Sequence, residues 1–370
     1  MFLPMKTHPP LLLLGLLAMA AASAPAQTVT TSPVGFISVT AKGDSDTILA
    51  APLHQLPAFA GTVASFSGDT LTFTSAAFTP DSFNNQYYVL IGSGGSGARE
   101  GMWYKILDTL ETTLKIDLNG DPLNNQMVSG ASIRVIPFWT LNTVFPEGAG
   151  VHASPTFRPN SRILIPDGST SGVNLASTAS YFYYSGTASG GEGWRKFNAS
   201  PSEKFDALIL PPASHFIIRH ELPQDTIVNN LGAVQMASLT SIVRTLTPNQ
   251  TQDNSLAFNV AVPTSLADSK LYESGAFMGT SNFNTLADAD LLLVFDNSVI
   301  AKNKAPSAIY FYYTGADNGG AGWRKQGDPV TTIHNTTQAF QPATGCILRK
   351  AATGSAQSAI WQARPSYVPQ

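Results

Sequence analysis

Disulfides are excluded at the outset, because Cys346 is the single cysteine in 370 residues. A chain of this length must then stand on its buried apolar surface. Charge is scarce as well: Asp, Glu, Lys and Arg make up 12% of the chain, and the net charge is −3. No run of Lys or Arg occurs, so nucleic acid is not an expected partner, since phosphate neutralisation needs clustered cations. The six histidines form no His-x-His, His-x3-His or Cys-paired spacing. No metal and no cofactor is therefore expected. Beyond residue 26 helix signals are nearly missing, and no apolar run there approaches the roughly 20 residues of a membrane span. No transmembrane segment is expected in the mature chain.

What is present begins with a secretory signal peptide over 1–26. Lys6 supplies the positive start, Leu11 to Ala22 the apolar stretch, and Ala24-Pro25-Ala26 the small-x-small cleavage pattern. The expected location is periplasm, outer surface or extracellular space. Past it, short runs rich in Val, Ile, Phe, Tyr and Thr are separated by Gly, Pro, Ser and Asn, which predicts an all-β fold. Residues 60–138 hold about six such runs, enough for a small β-barrel without open edges. Gly92 to Gly97 reads as a hairpin loop, since a phosphate loop would need a following helix. Asp44 and Asp46, and the stretch 117–121, read as turns in preference to calcium sites.

One stretch is repeated. Tyr181-Phe182-Tyr183-Tyr184 followed by Gly193-Trp194-Arg195-Lys196 returns as Tyr310-Phe311-Tyr312-Tyr313 followed by Gly322-Trp323-Arg324-Lys325. Trp194 and Trp323 lie 129 residues apart, as do Asp167 and Asp296. The repeat extends back, because 47–57 and 254–266 both run from a polar turn into an apolar strand. The pattern predicts two duplicated β-sandwich or barrel-like domains with the small barrel inserted in the first. The divisions are 27–59 plus 139–230 for the first copy, 60–138 for the insert, and 231–370 for the second copy. In such a fold residues 34–57 pair with strands of 139–222, across the insert.

Ser32-Pro33-Val34-Gly35-Phe36, Trp139-Thr140-Leu141 with Phe145-Pro146, and the two Gly-Trp-Arg steps carry a resemblance. Over most of its mature length the chain resembles a family of secreted bacterial all-β proteins described as conserved hypothetical. The resemblance implies export and an all-β fold, and supplies no catalytic residue.

Residue chemistry leaves three functional expectations open. The first is a non-enzymatic structural or adhesive component of the cell envelope. The second is a carbohydrate-binding array. In it Trp194 and Trp323 offer an aromatic plane, Arg195 and Arg324 a fork of donors, and Tyr184 and Tyr313 further ring surface to a polysaccharide. Its competitor places both Trp in the core, with the arginines paired to Asp167 and Asp296 or stacked on Tyr. The third is a hydrolase whose carboxylates, Glu192 and Glu203 among the candidates, are assembled by the fold. No catalytic residue is assigned, and Cys346 in its apolar run reads as a buried thiol. Alternation along a strand puts Tyr181 and Tyr183 on one face and Phe182 and Tyr184 on the other.

Overall fold

The computed structural model describes residues 33–283 and 286–368; the signal-peptide reading of 1–26 lies outside them. The described part begins with β1 (Val34–Ala41) and β2 (Asp46–Leu49). Next come β3 (Phe59–Thr62), β4 (Ser65–Ser67), β5 (Thr70–Thr72), β6 (Tyr87–Ile91), β7 (Trp103–Leu110) and β8 (Thr113–Ile116). A single helical turn, α1 (Asn125–Val128), is capped by the Asn124 side chain and precedes β9 (Ser132–Pro137). After β10 (Trp139–Thr140), the Thr140–Thr143 capping box starts a second turn, α2 (Leu141–Val144). Then follow β11 (Ser161–Ile165), β12 (Ala179–Tyr184), β13 (Gly193–Lys196), β14 (Ile209–Leu210), β15 (Phe216–His220) and β16 (Thr226–Ala233). A short connection leads to β17 (Leu239–Thr245), β18 (Gln252–Ala257), β19 (Leu291–Val294), β20 (Ala308–Tyr313), β21 (Gly322–Lys325), β22 (Gly345–Lys350) and β23 (Gln357–Ala363). The fold is all-β.

The two stretches expected to be copies form sheets of corresponding strand order. One five-stranded sheet runs β13-β12-β11-β15-β2 and the other β21-β20-β19-β22-β18. Each is accompanied by a two-stranded ribbon, β1 with β16 and β17 with β23. In the first copy Ile163, Tyr181, Trp194 and Ile218 of the sheet share a buried cluster with Ala41 and Val228 of the ribbon. In the second, Leu292, Tyr310, Trp323 and Leu348 pack with Val243 and Trp361. Sheet and ribbon thus form the two layers of a small sandwich around each Trp.

β2 pairs with β15, Asp46 opposite Arg219, across the whole intervening insert. β18 takes the same place beside β22, with Asp253 opposite Arg349. Leu49 and Leu141 are 92 residues apart, whereas their counterparts Leu256 and Leu266 are 10 apart. The surplus in the first copy holds β3 to β9. Their sheet runs β3-β9-β6-β7-β8-β5-β4, and its two end strands belong to one stretch, 59–67. Val63 bonds Ala131 at one end of that order and Ala64 bonds Thr72 at the other, so the sheet curls back on itself. Phe59, Phe73 and Phe78 meet edge-to-face inside it, 4.8 to 5.7 Å between ring centres.

Though inserted in the first copy, the barrel leans on the ribbon of the second. Ile242 of β17 packs against its core. The Glu100 carbonyl accepts from Thr240 (2.7 Å) and Gln362 (2.8 Å), one from each ribbon strand. Among the described residues nothing covers the first copy's ribbon in this way: Val34, Phe36, Ile227 and Leu231 are each about 60% exposed.

The copies hold each other by a reciprocal latch. Arg219 makes a two-pronged bond to Asp46 (2.6 Å each), and Asn303 from the other copy accepts from the same guanidinium at 2.6 Å. Arg349 does the same with Asp253 (2.7 and 3.0 Å) and with Asn174 at 2.9 Å. The Asn303 amide donates to Asp46 at 2.7 Å, and the Asn174 amide to Asp253 at 2.8 Å. Both asparagines have positive φ, 53° in each case, a conformation Asn tolerates better than most residues.

Candidate functional site

The six residues expected to face a polysaccharide are buried. Trp194, Arg195, Trp323 and Arg324 are at most 1% exposed, Tyr184 is 3% exposed and Tyr313 is 2% exposed. This corrects the expectation of a displayed aromatic plane: each Trp fills the centre of a sandwich, against Phe145 and Tyr183 in one copy and Phe277 and Tyr312 in the other. The arginines do not pair with Asp167 and Asp296, which cap their own turns by accepting the amides of Ser169 and Ser298 (2.8 Å each). Arg195 instead donates to four carbonyls, those of Pro201 (2.7 Å), Gly191 (2.5 Å), Trp194 (3.2 Å) and Ser189 (3.4 Å). Arg324 repeats this on Val330, Gly320, Trp323 and Asn318. Each guanidinium thus ties two loops to its strand, and its charge is met by carbonyl dipoles.

The face of β12 carrying Phe182 and Tyr184 is covered too. Arg195 lies over the Tyr184 ring (5.7 Å), and Phe157 stacks on it (4.4 Å, 15°). Arg324, Tyr313 and Phe283 repeat the sandwich. The glycine before each Trp is required by the same packing. Gly193 has φ 141°, and a Cβ there would come within 3.1 Å of Arg195 and Asp206; Gly322 has φ 155° and meets Arg324 and Asn335.

Other reactive groups are likewise committed. Asp46 is latched to Arg219. Asp121 is held by Arg99 (2.6 Å) and Tyr104 (2.5 Å). Ser161 and His220 are in contact (2.7 Å) in the interior, where Ser161 also accepts the His152 amide and His220 bonds Thr226. Burial pushes the imidazoles of His54 and His215 down to about 4, and the Cys346 thiol up to about 12. Glu192 and Glu203 stand exposed on loops, Glu192 accepting from the Tyr183 hydroxyl at 3.4 Å. Among the described residues no three His, Cys, Asp or Glu side chains converge as a metal set.

Two clefts remain. The larger, about 720 Å³, runs between the copies and contains the Asp46–Arg219–Asn303 latch together with Ile217 and Ile347. Asp46 and Arg219 there are already paired with each other, and Lys304 donates to the Asp296 carbonyl at 3.2 Å. The smaller, about 480 Å³, lies where all three parts meet. Its walls are Trp103 and Lys105 from the barrel, Ile209 and Pro211 from the first copy, and Arg244 and Gln252 from the second. Trp103 is half-buried, its ring set edge-to-face on Tyr88 (6.0 Å) and Phe138 (5.8 Å), which fixes its plane. Gln252 is 2% exposed, and its Oε1 has no hydrogen-bond partner. This cleft is the better candidate, since it offers a rigid aromatic and unspent polar groups.

Sequence reasoning overlooked Trp103 because it followed repetition. A duplicated fold repeats its core, whereas Trp103 lies outside the repeated step, in the insert. Compared with known proteins, the chain matches no family model, no curated protein and no solved structure.

Proposed function

We propose that the protein is an exported, non-enzymatic β-protein serving as an adhesive component of the cell envelope, and that it grips carbohydrate in the junction cleft. The start of the sequence supports export through its charged, apolar and small-x-small order. The observation that carries the binding reading is the half-buried Trp103 held in the wall of a 480 Å³ cleft. A fixed indole covers the apolar face of a sugar ring at little entropic cost, while Arg244, Lys105 and Gln252 supply polar contacts. Carbohydrate binding thereby moves from the duplicated Trp pair to the insert.

A glycan array probed with the mature chain tests this. Binding is expected to disappear in Trp103→Ala and to persist in part in Trp103→Phe, with the melting temperature of both within a few degrees of wild type. An array without signal, or signal indifferent to Trp103→Ala, sinks the reading.

A further inference from the structure

Building on the carbohydrate reading, we infer that the saccharide held in the junction cleft carries a carboxylate, gripped between Lys105 and Arg244. Along β7, Trp103 and Lys105 alternate with the buried Tyr104 and Ile106, so they stand together on the outside of the barrel. Arg244 shares its face of β17 with Thr240, which bonds the Glu100 carbonyl, and Ile242, which packs on the barrel core. The two cations therefore come from facing walls.

Both are half-buried, and neither has an ion-pair partner among the described residues. The acidic residues lining the cleft do not supply one. Asp253 is committed to Arg349 at 2.7 Å, and Asp117, exposed and accepting the amide of Asn119 at 3.0 Å within its own turn, keeps its charge but pairs with neither cation. Withdrawing a cation from water without a counter-charge is unfavourable, and a second cation across a confined space adds repulsion. An anion placed between them relieves both costs. The planar guanidinium of Arg244 suits the two oxygens of a carboxylate.

Gln252 lines the same cleft. Its Nε2 donates to the carbonyls of Thr170 (3.2 Å) and Asp253 (2.9 Å), which fixes the amide. The Oε1 is left buried and unpaired, as is the Nε1 of Trp194 and of Trp323, but unlike those two it belongs to a side chain that lines the cleft. A sugar hydroxyl is a donor of the right kind. Trp103 for the ring face, Lys105 and Arg244 for the acid group and Gln252 for a hydroxyl together describe a uronic-acid unit.

The test is titration calorimetry of the mature chain at low salt with a panel of uronic-acid oligosaccharides. Each is paired with its carboxyl-reduced neutral form and with a sulfated neutral analogue. The acidic form is expected to bind about tenfold or more tightly than the reduced one, the scale of a charge-assisted contact. That advantage should shrink as salt is raised. Arg244→Gln and Lys105→Gln should each remove most of the advantage while leaving the affinity for the reduced form, and Lys105→Arg should keep it. Equal binding of acidic and reduced forms, lost in Trp103→Ala, overturns the carboxylate and leaves the carbohydrate reading standing. Preference for the sulfated analogue overturns the carboxylate as well. Failure of every oligosaccharide to bind removes both readings.

Discussion

The side chains that stand out in the sequence are those that hold the sandwiches together. Trp194→Ala and Trp323→Ala should each cost about 3–5 kcal/mol, the range for emptying a fully packed aromatic site. Denaturant unfolding monitored by fluorescence of the remaining Trp residues measures it. Histidine titration gives a second expectation. His54 is fixed between the Tyr88 hydroxyl and the Gln235 side chain (2.6 Å each), and His215 donates to the Leu256 carbonyl at 3.1 Å. Both imidazoles are held neutral, with pKa values near 4 against 6.5 for an exposed one. Between those values the unfolded chain binds more protons than the folded one, so protonation favours unfolding. The stability is fully present above about pH 6.5 and is lost as pH falls toward about 4, by on the order of 3 kcal/mol for each His. Midpoints of urea unfolding measured from pH 7.5 to 4.5 should fall accordingly; a flat profile would contradict the burial of these rings.

Among elements, the latch strands β2 and β18 and the loops that reach across to them decide how the copies are joined. Asn303→Ala removes a bond to a charged group and places an alanine at φ 53°, so a loss of about 2 kcal/mol is expected. Asn303→Gly loses the same bond without the backbone cost and should be milder by about 1 kcal/mol. Equilibrium unfolding of the two variants side by side checks the order. These elements also mark where sequence reading stops. The sandwich strands were legible because Tyr-Phe-Tyr-Tyr and Gly-Trp-Arg-Lys are contiguous and recur in register. Asp46 and Asp253 directly precede the matching stretches 47–57 and 254–266, but their role in the latch was not legible, because each acts through a partner 173 or 96 residues away. The same holds for Asn174 and Asn303, single polar residues in loops whose meaning arises only when two copies face each other. Whether the Trp residues were core or surface could not be read from the strand pattern, because loops cover both faces of β12 and alternation reports only one. The junction cleft was invisible for a related reason: it draws on three stretches with no shared pattern.

For the molecule as a whole, each copy contributes its own core, and the latch, the barrel's seat on the second ribbon and the connection over 234–238 bind them. Thermal unfolding of the mature chain should therefore appear as one calorimetric transition, with two well-separated ones contradicting such coupling. Surface changes on the first ribbon belong at the other extreme. Phe36→Ser, at a side chain 63% exposed, should shift the midpoint by no more than about 0.5 kcal/mol. The latch has one more consequence. Among the described residues no sheet or ribbon takes strands from both copies, and beyond the single bridge of Leu49 to Thr344 the copies are joined by side chains and loops crossing over. Opened within 234–238, the polypeptide would yield two complementary fragments, each with complete sheets and half of a mutual lock. Co-expressed as separate pieces, they should recognise each other, and because Trp103 would sit on one fragment and Arg244 on the other, the cleft would exist only in the reassembled pair.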